Sequence, residues 1–335
     1  IQDARFPYAL EAMQGEIVFK GRTLTFEGLH CRHNGWELIV QGGVDDFGPD
    51  QQIWLRVVSG KIAFDEDVYN ALSPAAKRLW FAFSPSGTGA IDYTYRRTPQ
   101  ARTQRLVIDL IDAGAVYAHF PYPLERLTGR LILEAGRITL DNIVAHYADP
   151  RRVQLTGTIT TAAGQTPEFA IRIRAEQIPV DARLTDAMPP TQQAFFKQFD
   201  MDAVAAVDVA IFPDPTGERP FDYTAHLQAV GSRLLYAGLP IPLENVRLDA
   251  DITHQAVDIK SFTASRGSGK IHLSGQIYGG TDAAAAPPLC LAIEASGLEL
   301  DAVFWKAVEK QIKHLPPSVR LGGAVDAKGR WSRHL

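Results

Sequence analysis

Three constellations in this chain have residue types and spacing that invite a chemical reading. His30-Cys31-Arg32-His33 gathers two imidazoles and a thiol in four positions, a donor set that suits zinc. Ser84-Pro-Ser-Gly-Thr-Gly89 has the small residues and glycines whose backbone N–H groups can cradle a phosphate. Asp92, Asp208 and Asp326 stand 116 and 118 residues apart, and carboxylates are common proton donors and acceptors.

The elements that must position these groups weaken each reading. In a strand, His30 and His33 point to opposite faces, so a solvated strand end is favoured over a metal site. The Ser84–Gly89 run follows a helical pattern instead of a strand, which favours a turn leading into a strand. Each of the three aspartates comes one place after an apolar strand residue, which suits a solvent-facing position or a local turn contact better than an acid or base. There is no His-Glu-x-x-His, Cys-x-x-Cys or Gly-x-Ser-x-Gly signature. The chain is therefore read as non-enzymatic, with no cofactor and no metal.

The aspartates recur because the chain is repetitive. Phe120-Pro-Tyr-Pro-Leu-Glu-Arg-Leu-Thr-Gly129 reappears upstream as Phe6-Pro-Tyr-Ala-Leu-Glu-Ala-Met-Gln-Gly15, and downstream as Leu239-Pro-Ile-Pro-Leu-Glu-Asn-Val-Arg-Leu248. Pro7, Pro121 and Pro240 are equivalent, 114 and 119 residues apart. Gly42, Gly157 and Gly275 recur in the same register, each read as ending a strand. A period of this length defines repeat units before any local assignment. The units are 1–119, 120–238 and 239–335, the last truncated, so the chain reads as a piece of a longer array.

The 335 residues, 46% of them apolar, supply ample material for buried cores. A net charge of −4, with Lys and Arg scattered, gives no electrostatic footprint for nucleic acid and no polybasic membrane patch. No apolar run is long enough to span a membrane and no basic start leads an apolar signal core, so any anchor is expected outside this segment. Cys31 aligns with Ala145 and Ala264, and Cys290 with Trp54 and Ala170. Both cysteines therefore read as small buried hydrophobes in preference to a disulfide.

Within each unit alternation dominates. Val246, Leu248, Ala250 and Ile252 share one strand face while Arg247, Asp249 and Asp251 share the other. Similar short runs separated by glycine and polar turns predict an antiparallel meander of five or six strands per unit. One stretch per unit changes period: 65–83, 181–199 and 301–315 space apolar residues three to four apart. This predicts a short helix pair, with Ser73 as N-cap and Pro74 at the first helical position. Aromatic residues crowd these stretches: Trp80, Phe83, Phe195, Phe196, Phe199, Phe304 and Trp305. The third stretch carries Ile312 and is followed by Pro316-Pro317.

Such a sheet needs a cover. Leaving Leu131, Leu133, Ile138 and Leu140 in water forgoes roughly 1.5 to 3 kcal/mol each. A second sheet, the amphipathic helices or a bound apolar ligand would each satisfy the same alternation.

The run from Pro123 to Ile159 reads Pro-Leu-x-x-Leu-x-Gly-x-Leu-x-Leu, then Gly-x-Ile-x-Leu-x-Asn-Ile-x-Ala, then Val-x-Leu-x-Gly-x-Ile. It resembles the AsmA-like proteins of bacterial envelopes, among them TamB and YhdP relatives, of the repeating β-groove or bridge-like lipid transfer superfamily. The resemblance implies a mainly β chain with short helical inserts, its tandem antiparallel meanders forming an elongated, twisted β groove. It also implies a periplasmic or envelope location, a parent anchored in the inner membrane, and envelope membrane proteins at the parent's ends. The cargo would be phospholipid or another acyl lipid. The implied groove floor is Ile17, Phe19, Leu24, Phe26, Leu131, Leu133, Ile138, Leu140, Leu155, Leu248, Ile252, Val257, Ile259 and Leu273. If the helices closed that groove, the chain would instead be a structural spacer or interaction protein of the envelope.

Overall fold

The computed structural model describes residues 8–48, 50–72, 74–147, 151–161, 168–279, 288–311 and 322–333. Within them the chain is mainly β with short helical inserts, and its strands run as antiparallel meanders. The first repeat comprises β1 (Glu11–Lys20), β2 (Thr23–His33), β3 (Trp36–Asp45), β4 (Gln52–Ala63), α1 (Glu66–Ala71), α2 (Pro74–Phe83), β5 (Ser86–Arg97) and β6 (Arg102–Tyr117). The second comprises β7 (Phe120–Glu134), β8 (Arg137–His146), β9 (Arg152–Thr160), β10 (Glu168–Pro179), α3 (Ala182–Ala187), α4 (Pro190–Phe196), β11 (Phe199–Phe212) and β12 (Asp222–Tyr236). The third comprises β13 (Leu239–Thr253), β14 (Ala256–Arg266), β15 (Gly269–Tyr278), β16 (Leu289–Glu299), α5 (Ala302–Gln311) and β17 (Ala324–Arg333). Four strands, a helical insert, then further strands recur each time.

The residues pack as two compact units, 1–171 and 172–335, and the division falls inside β10. In the first unit every strand from β1 to β9 pairs antiparallel with its successor. In the second, β11 to β17 do the same. The hairpins follow from local chemistry. Asn34 and Gly35, both at positive φ, sit between the paired residues His33 and Trp36. A two-residue turn of that hand matches the strands' own twist.

Bulges recur at equivalent positions. Ala12, Arg126 and Asn245 all adopt φ near 50°, at 47°, 48° and 52°. Gly28 and Asn142 do so on the following strands, at 60° and 49°. Each extra residue is absorbed as a register shift, between Phe26 and Leu29 in β2 and between Leu140 and Ile143 in β8. The apolar residues on either side of a bulge thereby stay on one sheet face.

The helical inserts are fixed by aspartates. Asp65, Asp181 and Asp301 accept from the backbone N–H of Val68, Leu184 and Phe304 at 3.1, 3.1 and 2.8 Å. These are the N-caps of α1, α3 and α5. Ser73, Ile312 and Pro316-Pro317 lie outside the described residues. In the first unit α1 buries Ala71 against Leu29, Cys31, Leu38, Val40 and Tyr8, with Val68, Phe26 and Leu55 packed around them. In the second unit Ala307 of α5 is buried and the helix packs on β13. The insert aromatics brace strand ends: Phe83 stacks on Tyr117 at 5.0 Å and Phe199 on Tyr236 at 5.1 Å.

Gly42, Gly157 and Gly275 do not end strands; they lie within β3, β9 and β15. Their role is close approach. The Phe26 ring lies over Gly42, while at Gly157 and Gly275, with φ of 152° and 134°, a Cβ would collide with the carbonyl oxygens of Ala170 and Cys290. Gly60, by contrast, has open space around it. Gly157→Ala is expected to cost about 1–3 kcal/mol by chemical denaturation, while Gly60→Ala stays within about 0.5 kcal/mol. Equal effects at the two sites would show that the close backbone approach at Gly157 does not constrain the fold.

Candidate functional site

Cross-strand partners share a sheet face, so the registers decide which side chains stand together. In the first unit Phe19 pairs with Leu24 and Ile17 with Phe26, while Leu24 pairs onward with Val44. Further along, Leu131 pairs with Leu140, Leu133 with Ile138, and Ile143 with Leu155. In the second unit Leu248 pairs with Phe262, which pairs with Leu273. Ile252 pairs with Val257, and Ile259 with Ala250. All the residues expected to form a floor therefore lie on the apolar face of their unit.

The strands between them complete the face. Val57 pairs with Tyr93, Tyr93 with Leu106 and Ile108 with Leu131, so β3 to β6 carry apolar side chains from β2 across to β7. Sequence reading missed this middle part. Its alternation is blurred because Trp54 and Val107 put apolar side chains on the opposite face. Burial also holds the Tyr93 phenol above its ordinary pKa, so it stays neutral.

The helical inserts cover only part of this face. Leu29, Cys31, Leu38 and Val40 are buried near α1, whereas none of the expected floor residues is. Phe19 is 72% exposed and Ile17 49%, and the other floor residues are half-buried. An apolar strip on each unit is thus open to solvent. Among the described residues no helix is long and apolar enough to cross a membrane.

The opposite face is polar and laced with ion pairs. Arg56 donates to both carboxylate oxygens of Asp92 at 3.1 and 2.8 Å, and Arg130 to both of Asp109 at 2.6 and 3.1 Å. Arg172 forks onto Asp208 at 2.7 and 2.6 Å, with Arg174 adding a third bond at 3.1 Å. In the third repeat Ala292 stands where Arg56 and Arg172 do, and Asp326 accepts from the Gly297 N–H at 2.7 Å instead. The bond from Arg172, reinforced by Arg174, holds the Asp208 carboxyl down at about 2. Asp92 is lowered by Arg56 in the same way. Carboxyls held ionised so far below neutrality act as fixed charges, not proton donors.

The remaining constellations come apart. His30 is exposed, but His33 is 5% exposed. The solvated strand end expected there is therefore corrected for His33: its ring stacks on Tyr8 at 3.8 Å and its Nδ1 lies 2.7 Å from the Ala9 carbonyl oxygen. Among the described residues no metal-binding cluster forms. The Ser84–Gly89 run enters β5 through Gly87 at positive φ. Cys31, Ala145 and Ala264 are 2%, 0% and 5% exposed, which fits a buried small hydrophobe. Cys290 is only half-buried and sits opposite Gln276 and Ser332 on the polar face, because its neighbour Leu291 takes the apolar side.

The Asp208 carboxyl lies below the ordinary value of about 3.9, so its contribution is present above pH about 4 and lost as pH falls through about 2. Discounted for exposure, the pair is worth about 0.2–1 kcal/mol. Denaturant unfolding of Asp208→Asn against the parent is expected to show that difference at pH 7 and its disappearance near pH 2. A difference independent of pH would remove the ion pair as its cause. The chain matches no protein-family model, no curated protein and no solved structure.

Proposed function

We propose that this chain is a non-enzymatic, lipid-binding segment of an AsmA-like envelope protein, whose uncovered apolar strip holds phospholipid acyl chains and lets them move along it. One observation carries the reading: equivalent strand positions, Phe19, Leu133 and Ile252 or Leu24, Ile138 and Val257, present exposed or half-buried apolar side chains on one face in each repeat, while the α1 insert of the first unit covers only a margin of it. An uncovered apolar surface of this kind marks a binding surface.

The energetics suit a conduit. Each acyl methylene taken out of water gains about 0.8 kcal/mol without directional bonds. Leu133 and Ile252, like Leu140 and Ile259, stand at equivalent positions and offer similar contacts, so no single position traps the chain. The polar face with its Arg–Asp forks stays with water. In this reading Ile17, Phe19, Leu24, Phe26, Leu131, Leu133, Ile138, Leu140, Leu155, Leu248, Ile252, Val257, Ile259 and Leu273 are lipid contacts, and the setting is the periplasm, with the parent protein anchored in the inner membrane.

Mass spectrometry of organic extracts tests it directly. The purified chain is expected to carry stoichiometric phospholipid. Leu131→Asp with Leu248→Asp is expected to lose it while retaining the parent's circular dichroism. Thr94→Glu, which adds charge to the polar face beside Arg105, should keep it. A folded, lipid-free parent protein would leave a structural array and sink the conduit.

A further inference from the structure

The tip of the β5–β6 hairpin reads Tyr95-Arg-Arg-Thr-Pro-Gln-Ala-Arg102, with Arg96, Arg97 and Arg102 and no acid among them. Thr98 and Ala101 close its turn. The Thr98 N–H donates to the Ala101 carbonyl oxygen at 2.8 Å, and the Ala101 N–H to the Thr98 hydroxyl at 3.1 Å. That closure sets Arg97 and Arg102 directly opposite each other as the last pair of the ladder. Like charges at such positions destabilise a strand pair. Both side chains are exposed, and among the described residues neither they nor Arg96 has a carboxylate partner.

The registers place this pair on the apolar face. Phe19 pairs with Leu24, Leu24 with Val44, Val44 with Ile53, Ile53 with Arg97, and Arg97 with Arg102. One row across the sheet thus runs from two expected floor residues to two guanidinium groups. Tyr95, two places before Arg97, shares that face, and the Arg102 guanidinium lies over its ring at 5.3 Å from the centroid. An open concavity of about 410 Å³ at this tip is lined by Tyr95, Arg97, Thr98 and Arg102 with the rest of the turn. The second repeat differs. Asp92 and Asp208 are equivalent, so Asp214 stands where Thr98 does, and it takes Arg219 of its own hairpin at 3.2 Å. That hairpin neutralises its arginine, whereas the β5–β6 hairpin does not.

We propose that Arg97 and Arg102 bind the phosphate oxyanion of a net-anionic phospholipid headgroup, an inference that rests on the reading of the strip as an acyl-chain surface. Two adjacent guanidinium groups present forked N–H donors that match phosphate oxygens. A bound anion also relieves the repulsion between them. Ile53, Val44 and Leu24 on the same row receive the start of the acyl chain. Acyl contacts accept any tail, and the arginine pair adds selection by headgroup charge.

The test incubates the full chain with mixed micelles holding equal amounts of phosphatidylglycerol and phosphatidylcholine with identical tails, then quantifies the lipid it retains by mass spectrometry. The parent is expected to enrich phosphatidylglycerol about fivefold, the size of effect that solvent-exposed, charge-assisted contacts give. Arg97→Gln with Arg102→Gln changes only exposed side chains and is expected to take up as much lipid in total, but in the micelle ratio. A large excess of inorganic phosphate, set against chloride of matched ionic strength, separates the two sources of the oxyanion. Enrichment that persists assigns the site to the headgroup, while its selective loss overturns that assignment in favour of free phosphate. Lipid taken up by the parent in the micelle ratio, or enrichment that survives in the variant, overturns the arginine site and leaves the acyl strip standing. A folded parent that takes up neither lipid overturns the strip and this site with it.

Discussion

Because side chains alternate along a strand, slipping the β6–β7 pairing by one residue would turn Leu131 and Leu133 to the side where Arg130 and Asp109 stand. Both faces would then hold charge among apolar groups. Among the described residues of each unit the ladders run neighbour to neighbour, so the parity fixed in one hairpin must be handed on intact to the next. The two-residue turn at Asn34-Gly35 sets it in one place and the Arg–Asp forks hold it in others. The segregation of an apolar face from a polar one rests on that inheritance.

Bulges are how the chain keeps parity while changing local direction. At Ala12, Arg126 and Asn245 the backbone takes a left-handed conformation that only Asn tolerates cheaply, so two of the three sites carry a conformational cost. In β2 the bulge at Gly28 separates the part of the strand that the insert buries, with Leu29, from the part left open, with Leu24. One strand thereby serves two environments without changing face.

Much of this was legible in the residues. Alternation gave the meander and the period gave the order of strands and inserts, because burial on one face demands a period of two and the inserts break it. Less visible was anything set by close backbone approach. Gly157 looks like a strand terminator until the Ala170 carbonyl is seen against it, and Ala12 and Arg126 do not look like bulge residues at all. Pro74 does open α2, but the caps that recur at equivalent positions, Asp65, Asp181 and Asp301, do not stand out in the sequence beside the Ser73-Pro74 pair. His33 was misplaced because burial by Tyr8 comes from a residue outside its own strand.

The two cysteines sit in contrasting surroundings, one sealed beneath the α1 insert and one half-open on the polar face. Burial raises the Cys31 thiol above its ordinary pKa, which lowers its reactive thiolate fraction further. A thiol reagent therefore meets Cys290 in the closed molecule but Cys31 only when the insert lifts from the sheet. The slow phase of alkylation is then a clock for that local opening, and its rate gives the free energy of the lifted state apart from global unfolding. The native chain carries its own reporter of how firmly the margin of its apolar face is shut.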